Sequence, residues 1–316
     1  MSHTASAASA VPAKAPPVAG LVAAVFTPFD ETGEVEVGKI PPIVDFLSRQ
    51  QVTGIYICGS TGEAPSLTVE ERMLVAEAYV SAAKGKLSTM VQIGHTCLKD
   101  CRELGAHAAS IGADAISSVA PYYFKPPDVE TLVSFLSESA ASAPGLPFYY
   151  YHIPALSGVA VDPVALLEQG RESLATLRGI KFTDEDLSVF NACQVAGGGV
   201  YDVLFGRDEM FLAGLAAGAR GAVGSTFNIA PGLYRRISTA YEGGDLETAR
   251  DWQQVAVAMI RGLLVNGGEA AIKYAMRRHG IDCGPRRLPA QQLNAGERAG
   301  VDRVLKGLGF EEWARV

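Results

Sequence analysis

Short apolar runs alternate with amphipathic helical stretches along most of this chain, and that alternation restricts the folds open to it more than any other feature. Leu21-Val22-Ala23-Ala24-Val25-Phe26-Thr27, stopped by Pro28, has the unbroken apolar character of a strand buried on both faces. The stretch from Lys39 to Gln51 carries Ile40, Ile43, Val44 and Leu47 at helical spacing, and Gly54-Ile55-Tyr56-Ile57-Cys58 returns to the strand pattern. Thr68 and Glu71 form a capping-box signature for a helix reaching Ala83. Strands are predicted at 89–93, 115–119, 147–151 and 177–181, with helices at 97–111, 128–143 and 162–168. Two further strands, at 203–205 and 221–223, are each followed by a helix, opening near Asp208 and Ile229. The count is about eight strand-helix units over about 250 residues, which predicts an α/β fold, a closed (β/α)8 TIM barrel.

The barrel is expected over residues 20–243, followed by a C-terminal helical extension over 244–316. The extension reads as three helices, one starting after Gly243-Gly244 with Asp245 as its cap, packed on the barrel or on a neighbouring subunit. Residues 1–19, rich in Ala and Pro, read as a disordered tail and lack the basic start and apolar core of a secretory signal. No apolar run has the length of a membrane span.

Composition narrows the partners. A net charge of −7, from 34 acidic and 27 basic residues, offers no basic field for nucleic acid and leaves small molecules as the expected ligands. Five scattered cysteines without Cys-x-x-Cys spacing point to reduced thiols and a cytoplasmic setting, and Cys97 and Cys101 read as small apolar fillers. The histidines His3, His95, His107, His152 and His279 are dispersed, so no metal site is expected. A dinucleotide-type Gly-x-Gly-x-x-Gly turn after the first strand and a Gly-Lys-Ser/Thr phosphate loop are both missing.

In a barrel of this kind the chemistry sits at the carboxyl ends of the strands. There, Leu177-Arg178-Gly179-Ile180-Lys181-Phe182-Thr183 ends an apolar run on a lysine flanked by Ile180 and Phe182. A lysine amine, with an ordinary pKa of about 10.4, attacks a carbonyl only where apolar walls disfavour the ammonium. A solvated strand-end charge is the plainer alternative. Gly59-Ser60-Thr61-Gly62-Glu63 can offer N–H and hydroxyl donors to a carboxylate or phosphate, and a simple Gly/Ser turn explains it as well. Pro121-Tyr122-Tyr123-Phe124 and Tyr149-Tyr150-Tyr151-His152-Ile153-Pro154 put phenols on the same rim, where they either pack or relay a proton. Gly206-Arg207-Asp208-Glu209 and Gly224-Ser225-Thr226-Phe227-Asn228 supply acceptors for a polyhydroxylated ligand, although Asp208 and Glu209 could simply stabilise a helix N-terminus.

Taken together, these segments resemble the pyruvate-dependent class I aldolase family that contains dihydrodipicolinate synthase and N-acetylneuraminate lyase. The resemblance runs from Leu21 into the C-terminal helices and rests on Gly59 to Glu63, Pro121-Tyr122-Tyr123, Tyr151 to Pro154, and Gly179 to Thr183. It implies that Lys181 is the Schiff-base nucleophile, Tyr151 the proton acceptor, and Ser60 and Thr61 the holders of the pyruvate carboxylate. It also implies that Tyr123 completes a proton relay across a subunit contact. The loop His152-Ile153-Pro154-Ala155-Leu156-Ser157-Gly158 lacks the arginine typical of dihydrodipicolinate synthases and looks like that of the sialic-acid-cleaving members. In those, the residues matching Thr183, Gly206, Asp208, Glu209 and Ser225 bind the hydroxyl-bearing chain.

The implied activity is reversible cleavage of N-acetylneuraminate to pyruvate and N-acetylmannosamine, with no cofactor beyond the imine on Lys181, in a homotetramer. The alternatives are another pyruvate-dependent aldolase or hydro-lyase acting on a different sugar acid or keto acid, and a catalytically silent sugar-acid sensor. Departures from the family pattern are Arg207, Pro41-Pro42 and the tail before Gly20.

Overall fold

Eight parallel strands close on one another in sequence order, β8 pairing with β1. This computed structural model describes residues 18–316, so the tail expected over 1–19 falls, up to residue 17, outside the described residues. The strands are β1 (Gly20–Ala24), β2 (Gly54–Ile57), β3 (Ser88–Gln92), β4 (Ala115–Val119), β5 (Phe148–His152), β6 (Leu177–Phe182), β7 (Asp202–Phe205) and β8 (Gly221–Gly224). The helices of the wall are α1 (Ile40–Arg49), α2 (Val69–Ala83), α3 (Leu98–Ser110), α4 (Val129–Ala140), α5 (Pro154–Ser157), α6 (Pro163–Ser173), α7 (Leu187–Gly199), α8 (Phe211–Ala216) and α9 (Pro231–Glu242). The protein is a (β/α)8 TIM barrel with C-terminal helices.

The strands are mostly apolar because they bury both faces. Val22, Ala24, Tyr56, Met90, Tyr149, Tyr151, Leu204 and Val223 fill the barrel interior. The alternate residues, among them Ala23, Ile55, Ile57, Phe148, Tyr150, Ile180 and Phe182, pack outward against the helices. The period of two along each strand thus decides which of three consecutive tyrosines on β5 reach the lumen: Tyr149 and Tyr151 do, and Tyr150 does not.

Most predicted elements occur within a residue or two of their expected limits, and the Thr68–Glu71 capping box forms at the start of α2. Three expectations are corrected. No helix was anticipated between β6 and β7, yet α7 is there. Its final residues Ala196-Gly197-Gly198-Gly199 leave helical geometry, with Gly197 and Gly198 at positive φ, and that glycine run masks the helix in the sequence. The short helix expected over 162–168 continues to Ser173, and Gly170 within it leaves room for the Leu177 side chain. The extension holds four α-helices instead of three: α10 (Leu246–Val265), α11 (Glu269–Ala275), α12 (Ala295–Gly307) and α13 (Phe310–Trp313). Gly267 (φ 113°) and Gly268 (φ 62°) break the chain between α10 and α11.

The extension returns to the barrel wall. His279 stacks on Phe46 of α1 with ring centroids 4.3 Å apart and bonds the Ile229 carbonyl at 2.7 Å, and the Val316 amide donates to Gln50 Oε1 at 2.7 Å. No single helix among the described residues is long and apolar enough to cross a membrane. The described cysteines are unpaired; Cys101 is buried as expected of an apolar filler, whereas Cys97 is exposed.

Candidate active site

Lys181 and Tyr151 are register partners on the adjacent strands β6 and β5, so they stand side by side on the lumen face. The lysine is 4% exposed, and its Nζ lies 3.8 Å from the Tyr151 ring centroid and 4.3 Å from that of Tyr56. Those two rings meet edge to face at 5.6 Å, and the Tyr56 hydroxyl pairs with Ser117 Oγ at 3.0 Å, which fixes its ring. Burial, then the neighbouring Tyr151, pushes the Tyr56 phenol well above its ordinary range, so Tyr56 acts as a neutral wall. The sequence reading missed it; the signal lay in its inward position on β2, two residues before the loop that carries the hydroxyls.

That loop turns on strained backbone. Cys58 and Glu63 both sit in the left-handed region, at φ 55° and 57°, and Thr27 Oγ1 donates to the Gly62 carbonyl at 2.6 Å. The turn sets Ser60 Oγ 3.3 Å from the Tyr151 hydroxyl. Ser60, Thr61, Tyr151 and Lys181 therefore share the floor of one cavity of about 300 Å³. A second cavity of about 330 Å³ adjoins it at Ser60 and Tyr151.

The first cavity carries further polar lining. Thr183, Gly206, Asp208, Glu209 and Ser225 line it, so every residue expected to hold a sugar chain is brought to the lysine's cavity. Thr183 Oγ1 is buried without a hydrogen-bond partner among the described residues, a donor and acceptor free for a ligand hydroxyl. Gly206 has no room for a side chain, since a Cβ there would run into Thr183 Oγ1 and the Phe182 carbonyl. Asp208 Oδ2 accepts from the Thr226 amide at 2.8 Å and from Thr226 Oγ1 at 2.6 Å. Burial raises its pKa to about 6, the Thr226 hydrogen bonds opposing the shift and Glu209 adding to it. Arg207 pairs with Glu209 at 3.3 Å and also with Glu185. Gln253 of α10 donates to the Glu209 carbonyl at 3.0 Å and accepts from the Leu212 amide at 2.8 Å, so the extension braces this turn.

Tyr123 is placed differently. It is 76% exposed, packs edge to face on Phe124, and does not line the cavity within this chain. Among the described residues no group of three His, Cys, Asp or Glu side chains is arranged to hold a metal ion.

A buried amine beside a phenol, at the carboxyl end of a closed parallel barrel, is equipped to form an imine with a carbonyl and to break the carbon–carbon bond beside it. Fold and site thus define the class, a barrel carbon–carbon lyase of the class I aldolase type. Within that class the chain belongs to the dihydrodipicolinate synthetase family, whose profile matches residues 17–308. It is 41% identical over 296 residues to N-acetylneuraminate lyase of Rattus norvegicus, covering 92% of each chain. Its fold superposes on the Proteus mirabilis N-acetylneuraminate lyase with a TM-score of 0.91 at 39% identity, covering 93% of this chain and 99% of the other. The Aliivibrio salmonicida N-acetylneuraminate lyase (sialic acid aldolase) superposes with a TM-score of 0.91 at 38% identity, covering 94% and 98%.

Proposed function

We propose that this protein reversibly cleaves N-acetylneuraminate into pyruvate and N-acetylmannosamine through an imine on Lys181. One observation carries the reading: the buried Lys181 amine, packed on the Tyr151 ring, shares a cavity with Thr183, Asp208, Glu209 and Ser225. An α-keto acid can sit at one end and a polyol at the other. The likeness to lyases of this name in other organisms supports the same substrate.

Lys181 adds to the ketone carbon of the open-chain sugar acid, and water leaves to give an iminium. Tyr151 takes the proton of the C4 hydroxyl as its own phenol proton passes to the Ser60 hydroxyl, the C3–C4 pair flows into the iminium, and N-acetylmannosamine departs as the aldehyde. The remaining enamine takes a proton at C3, and water hydrolyses the imine to free pyruvate and the amine. Ser60 and Thr61 hold the keto acid carboxylate, while the Ser60 hydroxyl, 3.3 Å from that of Tyr151, keeps the phenol aligned. The iminium is the electron sink, so the reaction as read calls on no metal or organic cofactor.

Tyr123 is read as completing the proton relay from a neighbouring copy in a homotetramer, which its exposure beside Phe124 suits. The unpaired cysteines suit a cytoplasmic protein. The test is incubation with N-acetylneuraminate, with pyruvate release measured and a borohydride quench of the pyruvate-bound protein mapped by peptide. Pyruvate release with an adduct on Lys181 is expected. An adduct without release would keep the aldolase chemistry and reject this substrate.

A further inference from the structure

Three of the four residues that the C-terminal extension contributes to the lysine cavity are apolar: Ile260, Leu264 and Ile272. The fourth is Glu269, the first residue of α11, held there by the Gly267-Gly268 break that no other residue type would make so easily. Glu269 is half-buried as a whole, but its Oε2 is fully buried and has no hydrogen-bond partner among the described residues. A buried carboxylate oxygen without a donor is costly, and such groups persist where a ligand supplies the partner.

We infer that Glu269 is a further substrate-binding residue, which accepts a hydrogen bond from a hydroxyl on the aldehyde half of the substrate and selects neutral polyhydroxylated aldoses over phosphorylated ones. The inference deepens the function proposed above and rests on it. The surroundings agree. Asp208 and Glu209 line the same cavity, and Glu269 is close enough to Asp208 to raise that residue's pKa further. Three carboxyl groups in one cavity, where the lining Arg207 is already paired with Glu209 and Glu185, match a ligand rich in hydroxyl donors and repel an anion. Burial raises the pKa of Glu269 itself, Arg286 and Lys181 opposing the shift and Glu63 adding to it, as for a carboxyl group that lacks solvent. In the function proposed above Lys181, Ser60 and Thr61 hold the keto acid, and Glu269, which also feels Lys181, is assigned to the aldehyde half on its influence on Asp208.

The test is steady-state condensation of pyruvate with N-acetylmannosamine, mannose or N-acetylmannosamine 6-phosphate by the intact protein and by Glu269→Ala and Glu269→Gln. For Glu269→Ala the KM for N-acetylmannosamine is expected to rise by about ten- to hundred-fold, the effect of a lost hydrogen bond to a charged group. Glu269→Gln, which keeps one acceptor oxygen, should recover part of that loss. The KM for pyruvate and the yield of borohydride-trapped imine should not change, and the intact protein should use the 6-phosphate poorly. An unchanged KM for the aldose in Glu269→Ala overturns the inference, as does a parallel rise in the pyruvate KM or ready use of the 6-phosphate. If the intact protein condenses another aldose and ignores N-acetylmannosamine, the substrate proposed above is wrong, and the same split read on that aldose decides the role of Glu269.

Discussion

Glu63 and Lys273, 210 residues apart in the chain, meet in the interior with Nζ 2.9 Å from Oε1, their side chains 1% and 2% exposed. Glu63 ends the loop that carries Ser60 and Thr61, and Lys273 lies on α11, so this pair pins the active-site loop to the C-terminal extension. Arg287 donates its backbone N–H to Glu63 Oε2 at 3.0 Å, and Arg286 approaches the same oxygen at 3.4 Å. Burial pulls the Lys273 pKa down while Glu63 pushes it back up. Lys273→Met, which strands a buried carboxylate, is expected to cost about 3 kcal/mol, the lower end for breaking a buried pair because two arginines still approach Glu63. Chemical denaturation of Lys273→Met, Glu63→Gln and the double variant measures this. A double variant as unstable as the sum of the singles would show that the two side chains are not coupled.

Tyr151 does two jobs that one substitution separates. Its ring walls the Lys181 amine at 3.8 Å, and its hydroxyl, 3.3 Å from Ser60 Oγ, is placed to move the substrate proton. Tyr151→Phe keeps the wall and removes the hydroxyl. The imine with pyruvate should therefore still be trapped by borohydride, while kcat for cleavage falls by about 10²- to 10⁴-fold, the usual share of a general base. A normal kcat in this variant would take proton transfer away from Tyr151.

The barrel could be read from the sequence because doubly buried strands leave short apolar runs, and Lys181 stood out because it ends one. The rim segments that share its cavity were equally visible, since each follows directly on such a run. Other features had no local trace. Glu63 was read with the donors of its loop, but its carboxylate turns away to Lys273, a partner only the folded chain brings near. Glu269 follows two glycines in a segment with no strand, and its place in the cavity depends on how α11 packs. Helix α7 was hidden by its own glycine-rich end.

Gly206 is a glycine for steric reasons, since its absent side chain leaves space for Thr183 Oγ1. Gly206→Ala should displace that hydroxyl from the cavity wall and raise the KM for N-acetylneuraminate by about tenfold, the cost of one hydrogen bond to a ligand. The pyruvate adduct on Lys181 should form as before, because the keto acid end of the cavity is untouched. Loss of the adduct in Gly206→Ala would mean that the residue supports the β6 terminus as a whole.

Asp208 ties activity to pH. Its pKa is raised from 3.8 to about 6, chiefly by burial, so the folded protein holds this proton more tightly than the unfolded chain does. The sign follows: its contribution to stability is greatest below the unfolded value of 3.8 and is lost as pH rises through about 6. Binding runs the other way. Oδ2 is committed to the Thr226 amide and hydroxyl, so a ligand hydroxyl must donate to Oδ1, and protonation of the carboxyl removes an acceptor from that arrangement. The kcat/KM for N-acetylneuraminate should therefore rise with pH across an inflection near 6. Asp208→Asn, which cannot ionise, should lose that inflection while retaining Schiff-base formation with pyruvate. Profiles of kcat/KM against pH for the two proteins decide the matter, and an inflection near 6 that survives in Asp208→Asn would assign it to another group.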